Sequence, residues 1–338
     1  MQKQPTIAVI GLGYWGPNLV RNFYEHPGFE LRWACDARPA KLLATQQRYP
    51  TVKTTADYNE LLNDPQLDAV AIATPVDTHF DLASRALEAG KHVLVEKPMT
   101  RTVDEATSLV ALAAKAGRVL MVDHTFLFTP AVAEIKRLVT GGELGSLYFI
   151  DSVRINLGIF QHDVNVLWDL APHDLSIIAH VLGRMPRRVS AVGSCHTRSD
   201  LADIAHLYLD FGDNLMAHIH SSWLSPVKVR QMVFGGSKRT LFYNDIDPSE
   251  KLRLYDAGVN LKENDEEGIQ RTLVSYRRGD VLIPHLDLRE ALNAEVEHFH
   301  DAIVNGAPCI SGGEFGRSIV RALAAADESL KTGQFVNL

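Results

Sequence analysis

An apolar run, Thr6-Ile7-Ala8-Val9-Ile10, leads into Gly11-Leu12-Gly13-Tyr14-Trp15-Gly16 and then into the helical pattern Asn18 to Tyr24. That order leaves the chain few folds to choose from. A first glycine after a strand permits a tight turn, a second lets the backbone approach a pyrophosphate, and a third allows close packing of helix on sheet. The pyrophosphate then rests on the helix N-terminus. The fingerprint also requires an acid at the end of the next strand. Leu31-Arg32-Trp33-Ala34-Cys35 reads as that strand, and Asp36 ends it, 20 residues after Gly16. Asp36 can accept hydrogen bonds from ribose hydroxyls and would repel a 2'-phosphate, so NAD is favoured over NADP. Arg38 either serves such a phosphate or flanks the adenine. The expected dinucleotide contacts are Gly11, Gly13, Tyr14, Trp15, Gly16, Asp36 and Arg38.

The unit continues in order. Asp68 to Ala73 reads as a buried strand ending in Thr74-Pro75, with His79 in the first turn of a helix from Thr78 to Ala89 that Gly90 stops. Val93-Leu94-Val95-Glu96-Lys97-Pro98 is the end of a fourth strand, and Val119 to Val122 is a fifth, closing on Asp123-His124. Strands alternating with helices over about 120 residues are the pattern of a doubly wound parallel sheet. Lys97 ends an apolar strand directly before a proline. An ammonium group there can reach the crevice at the carboxyl edge of the sheet, where open α/β folds bind their ligands. A lysine at a strand end is ordinarily a solvated one; beside a dinucleotide fingerprint it reads as catalytic.

In the second half, Asn165-Val166-Leu167-Trp168-Asp169-Leu170-Ala171-Pro172-His173-Asp174 precedes the apolar pattern Leu175, Ile177, Ile178, Val181, Leu182. Proline is tolerated in the first turn of a helix, so a helix is expected to begin near Asp169 and Leu170. Asp169 and His173, four apart, would then share a face of that turn. The positive end of the helix dipole would keep His173 neutral and available as a base, with Asp169 orienting it. Three readings of the pair stand: general base with carboxylate, metal pair, or helix cap with a buried histidine. No third and fourth ligand stands at a recognisable spacing, so no metal is expected. The company of Lys97 and the glycine loop favours catalysis.

These motifs resemble the Gfo/Idh/MocA oxidoreductases over essentially the whole chain: Gly11-x-Gly13-x-x-Gly16, Thr74-Pro75-x-x-x-His79, Gly90-Lys91-His92-Val93-Leu94-Val95-Glu96-Lys97-Pro98 and Asp169-x-x-x-His173. The resemblance implies that Lys97 and His173 work on a substrate hydroxyl and that the bond before Pro98 is often cis. Thr74, Pro75, His79, Glu96 and Lys97 join the expected cofactor contacts. It implies an N-terminal Rossmann domain, residues 1–125. The remainder, 126–338, would be a substrate-binding and oligomerisation α/β domain with an open, largely antiparallel sheet, its last helix packing back on the first domain. A homodimer or homotetramer through that sheet follows. Gly13 to Asn18, His124-Thr125-Phe126, Arg154-x-Asn156-Leu157-Gly158 and Asn165 to Asp169 look like the branch that oxidises the 3-hydroxyl of UDP-N-acetylglucosamine or its uronic acid. That branch often carries Glu-Pro-Leu where this chain has Glu290-Ala291-Leu292. His124, Arg154, Asn156, Asn165 and His173 are the expected substrate contacts. The alternatives are keto-sugar reduction in deoxysugar synthesis and oxidation of a free sugar or inositol, since the same acid–base pair serves both directions.

A length of 338 residues, 46% hydrophobic, supports two domains. The net charge of −7 gives no basic footprint for nucleic acid. No apolar stretch approaches the ~20 residues of a membrane helix, and Met1 to Pro5 runs straight into a strand, so a cytoplasmic protein is expected. Cys35, Cys195 and Cys309 are few, odd in number and far apart, which suggests neither a disulfide framework nor a zinc site. After the helix Pro130 to Val139, β patterns dominate: Leu147 to Asn156, Val189 to Gly193, Ile204 to Phe211, Leu215 to Trp223, Lys228 to Phe234 and Thr240 to Tyr243. His218 and His220 alternate on one polar face and read as solvated or hydrogen-bonded side chains. Asp256 to Gly268 reads as a mobile loop, and helices Arg289 to Asn305 and Gly316 to Lys331 finish the chain.

Overall fold

The computed structural model describes residues 4–158, 160–161, 163–198, 200–262, 273–287 and 289–338. The chain divides into two compact units, residues 1–129 with 289–324 and residues 130–288 with 325–338. The first unit therefore takes back more of the C-terminus than a boundary near residue 125 implies. The reason is apolar: Leu292, Val296 and Phe299 belong to the same buried cluster as Ile7, Leu19 and Phe23.

In that unit, strands and helices alternate as β1 (Thr6–Ile10), α1 (Gly16–Glu25), β2 (Glu30–Cys35), α2 (Pro39–Arg48), β3 (Lys53–Thr55) and α3 (Tyr58–Leu62). They continue as β4 (Ala69–Ile72), α4 (His79–Glu88), β5 (His92–Glu96), α5 (Val103–Ala116) and β6 (Leu120–Asp123). The strands form one six-stranded sheet in the order β3-β2-β1-β4-β5-β6, with every pairing parallel. Each of β1, β4 and β6 is buried along its whole length, as expected of strands covered on both faces. The order reverses direction between β1 and β4, so the loops after these two strands diverge and leave a crevice at their carboxyl ends. Helix α5 opens with a reciprocal capping box, Thr102 to Glu105, and closes on left-handed Gly117.

The second unit runs α6 (Pro130–Thr140), β7 (Leu147–Leu157), α7 (Val166–Leu182), β8 (Arg188–Ser194), β9 (Ile204–Gly212) and β10 (Leu215–Ser222). It goes on with β11 (Leu224–Gly236), β12 (Thr240–Asn244), β13 (Leu252–Lys262) and β14 (Leu273–Leu282). Two helices then follow, α8 (Ala291–Val304) in the first unit and α9 (Gly313–Thr332), in which the division between units falls, before β15 (Val336–Asn337). The strands form a nine-stranded sheet in the order β14-β13-β12-β11-β7-β10-β9-β8-β15. It is antiparallel except for the β7–β10 pair. The expected loop from Asp256 to Gly268 is corrected at its start, because β13 continues to Lys262 against β14; residues 263–268 lie outside the described residues.

Alternation along β7 and β10 sends Ile150, Ser152, Arg154, Ala217, Ile219 and Ser221 to the buried face, on which α7 packs. Arg154, 3% exposed, spans from sheet to helix. Its Nε lies 3.0 and 3.1 Å from the two carboxylate oxygens of Asp174, and its Nη2 2.7 Å from Oδ1. Two buried charges satisfy each other there, and their removal from water is offset only while both are present. This corrects the reading of Arg154 as a substrate contact: its guanidinium is committed to holding α7 on the sheet. Arg154→Met should therefore leave Asp174 an uncompensated buried charge and cost about 3–5 kcal/mol of stability in urea unfolding. The Arg154→Met/Asp174→Leu double variant should regain most of that loss.

Candidate active site

The glycine loop follows β1 at the switch point. Gly11 has φ +89°, a left-handed conformation, and a Cβ there would collide with the Ala73 carbonyl after β4. A Cβ on Gly16 would run into the carbonyl oxygen of Gly11, so helix and loop are in direct backbone contact. Gly13 differs, since the nearest atom to its absent Cβ is Arg38 Nη2 at 3.9 Å. The loop thus offers open space over Gly13 and a helix N-terminus that no side chain among the described residues caps. That combination fits a pyrophosphate. Tyr14 is 85% exposed beside it.

Asp36 closes β2 at the same edge. Its Oδ2 accepts from the Leu12 N–H at 2.7 Å, which ties it to the loop, and from Arg38 Nη2 at 2.8 Å. Its Oδ1 accepts from the Arg38 N–H at 2.9 Å and from Nε at 2.8 Å. Arg38 is thus paired to the acid it was weighed against. The Arg38 side chain, followed by the backbone N–H groups of Leu12 and Arg38, overcomes burial and holds the Asp36 carboxyl down at about 2.

Along the rest of that edge stand Thr74, Pro75, Glu96, Lys97 and His124. Lys97 and Glu96 are half-buried, and the Lys97–Pro98 bond is cis. His79, 1% exposed, bridges two backbone carbonyls: its Nε2 lies 2.8 Å from Thr74 O and its Nδ1 3.0 Å from Pro98 O. Burial lowers its pKa against the pull of these carbonyls. His79 is therefore a clamp joining the loop after β4 to the peptide that follows Lys97, which corrects its reading as a direct cofactor contact. His124 is 1% exposed, stands edge-on to Phe315, and among the described residues has no hydrogen-bond partner at either ring nitrogen. Burial, aided by the Lys97 charge, pushes it down to about 3. It is a neutral ring walled in behind the lysine, which corrects its reading as a substrate contact.

On α7 the helix begins earlier than the proline suggested. Asn165 is the N-cap, its Oδ1 accepting from the N–H groups of Leu167 at 3.0 Å and Trp168 at 3.3 Å. Its Nδ2 donates to Asp327 Oδ1 at 2.7 Å, and Trp168 Nε1 to Asp327 Oδ2 at 2.7 Å. Asn165 is a cap rather than a sugar contact, and Pro172 lies inside the helix. His173 consequently sits about two turns in, beyond the reach of the N-terminal dipole, which fades within the first turn. Nearly all of α7 is buried, yet Asp169, Leu170 and His173 are half-exposed together. The i,i+4 spacing thus presents a carboxylate and an imidazole on one open patch of a largely covered helix. Trp223, just after β10, fixes the carboxylate, its Nε1 donating to Asp169 Oδ2 at 2.9 Å. Asn156 stands half-buried on β7.

Three residues escaped the sequence reading. Trp223 and Asp327 hold α7 through contacts distant in sequence, which no local pattern announces. Glu295, fully buried in α8, was detectable as the one acid on the inward side of Leu292, Val296 and Phe299. His218 and His220 form a stack with His206, whose Nδ1 lies 3.0 Å from His218 Nε2. Among the described residues no group of three or more His, Cys, Asp or Glu side chains is arranged to hold a metal. No helix among them is long and apolar enough to cross a membrane.

Comparison with known proteins agrees with the fold. Residues 6–124 match the model of an oxidoreductase family with an NAD-binding Rossmann fold, and residues 132–242 match the GFO/IDH/MocA C-terminal domain. The chain is 31% identical to UDP-N-acetylglucosamine 3-dehydrogenase of Acidithiobacillus ferrooxidans over 77% of each chain. It is 27% identical to an NAD-dependent scyllo-inositol 2-dehydrogenase of Bacillus subtilis over 90% of this chain and 88% of that one. The solved structure of the Acidithiobacillus ferrooxidans enzyme GnnA superposes with a TM-score of 0.79, covering 97% of this chain and 98% of that one at 25% identity.

The Asp36–Arg38 pair has a direct readout. An NMR titration of the Asp36 carboxyl carbon should give a midpoint near 2 rather than the ordinary ~3.9, and Arg38→Ala should move it upward. Because the folded-state pKa is depressed, the pair's stabilisation is complete above about pH 3.9 and is lost as the pH falls through about 2. An unmoved midpoint in Arg38→Ala would rule out the guanidinium as the cause.

Proposed function

The chain belongs to the Gfo/Idh/MocA oxidoreductase family, and from that premise we propose that it oxidises the 3-hydroxyl of a UDP-N-acetylhexosamine, or of its uronic acid, to a ketone. The observation that carries the chemistry is Lys97 at the carboxyl end of β5, in the same unit as the glycine loop and Asp36. The substrate class rests on the relative that acts on UDP-N-acetylglucosamine, matched at 31% identity.

NAD supplies the hydride acceptor when bound. Gly11, Gly13 and Gly16 form its pyrophosphate cradle, with Tyr14 and Trp15 beside it, and Asp36 takes the adenosine ribose hydroxyls. Thr74, Pro75 and Glu96 line the same edge. His173 accepts the proton of the sugar hydroxyl as the carbon–hydrogen bond of that carbon breaks. Asp169, fixed by Trp223, orients the imidazole and balances the charge it gains. The ammonium of Lys97 stabilises the oxygen as negative charge builds on it, an effect of about 3 kcal/mol by analogy with oxyanion donors. Asn156 is the remaining candidate for a sugar contact.

The polar face of the nine-stranded sheet carries half-exposed or exposed Phe149, Tyr208 and Met216 among its histidines. It is the surface through which copies of this chain would associate.

A second reading keeps the same residues and replaces the substrate with a free polyol ring. The scyllo-inositol dehydrogenase matched over 90% of this chain favours it. Incubation with UDP-N-acetylglucosamine, its uronic acid or an inositol, with 2-oxoglutarate as hydride sink, decides between them by mass spectrometry of the keto product. The nucleotide sugar should be converted, and Lys97→Ala should lower turnover by about 10²–10³-fold with little change in NAD affinity. Conversion of inositol alone would replace the first reading with the second.

A further inference from the structure

Glu295 occupies the centre of the inward stripe of α8, among Leu292, Val296, Phe299 and Ala302, and is 0% exposed. An ionised carboxylate in such a place is expensive unless a cation or several donors meet it. Neither of its oxygens has a partner at ordinary hydrogen-bond geometry among the described residues. The charges that weigh most on it, Asp123 and Glu96, are both negative, and Asp123 and Thr125 are polar groups in its reach. Burial first, and Asp123 second, push its pKa well above the usual carboxylate range. Asp123, 2% exposed, already accepts from Trp15 Nε1 at 2.6 Å and from the Thr125 hydroxyl. Asp123 thus receives two donors, whereas Glu295 receives none among the described residues.

We propose that Glu295 is a positioning residue for the coenzyme loop: a neutral acid whose proton is directed to Asp123, which in turn anchors the Trp15 indole where the loop becomes α1. The inference rests on the reading of Gly11 to Gly16 as the coenzyme cradle. The geometry gives the contact two ends. Trp15 is the N-cap of α1, beside Gly16, whose packing on Gly11 sets the loop. Asp123 pairs across the sheet with Glu96, the residue before Lys97. A shift of Asp123 would therefore be felt both at the cradle and at the strand that carries the lysine, all within the first unit.

Glu295→Gln keeps a neutral donor of the same shape, whereas Glu295→Met keeps the volume and removes the donor. Calorimetric titration with NAD should find Glu295→Gln within about twofold of wild type and Glu295→Met about tenfold weaker, the scale of one hydrogen bond to a charged group. The Trp15 indole N–H resonance, assigned with Trp15→Phe, should shift in Glu295→Met alone. The infrared spectrum of the wild type at neutral pH should contain a protonated-carboxyl band that Glu295→Gln lacks. A folded Glu295→Met with wild-type affinity and an unmoved indole resonance would overturn the proposal, as would equal losses in both variants. If Glu295→Met does not fold, the infrared band decides, and its absence from the wild type overturns the proposal. A wild type that fails to bind NAD defeats the reading of the loop itself, whatever the band shows.

Discussion

The contact between Gly16 and the carbonyl of Gly11 governs the carboxyl edge of the first sheet. With no side chain at either position, α1 starts against the strand it follows, and the turn between them stays tight enough to leave Gly13 facing open space. Any Cβ at Gly16 would push the helix off the sheet. Asp36 is tied to the same loop through the Leu12 N–H, so the acid that ends β2 is placed by that turn as well. The parallel order around β1 and β4 then supplies the crevice, and His79 links the loop after β4 to the peptide beyond Lys97. One steric requirement thus reaches from the glycine loop to the lysine.

Elsewhere the structure relies on buried charges that have been matched or neutralised. Arg154 and Asp174 hold α7 on the second sheet, next in sequence to His173. Asp36 remains a carboxylate because Arg38 and two backbone N–H groups surround it. His124 stays neutral because it is enclosed with the Lys97 charge nearby. For Asp36 and His124 the surroundings select the protonation state. The proposed hydride transfer from a sugar carbon needs such a setting: a base to accept a proton, and a fixed positive charge for the oxygen that loses it.

Much of this was legible in the sequence because it is local. The glycine spacing, Asp36, the strand preceding Lys97 and the alternation of strands with helices depend on neighbours a few residues apart. The i,i+4 relation of Asp169 and His173 was readable for the same reason. What was misread depends on partners far along the chain. Pro172 suggested a helix start that Asn165 overrides by capping four residues earlier than Asp169, and the cap is held by Asp327 in α9. Arg154 looked like a ligand contact until Asp174 met it across the sheet. His79 and His124 carry the composition of site residues but are buried by long-range packing that no local pattern contains. The extension of β13 past Asp256 is fixed by cross-strand pairing with β14 rather than by composition.

In the proposed reaction hydride leaves C3 of the sugar for NAD with the help of Lys97 and His173. The most direct test is single-turnover reaction of UDP-N-acetylglucosamine carrying deuterium at C3. Deuterium should appear in the reduced nicotinamide, with a primary isotope effect on its formation. Reduced nicotinamide free of deuterium would contradict the proposed reaction.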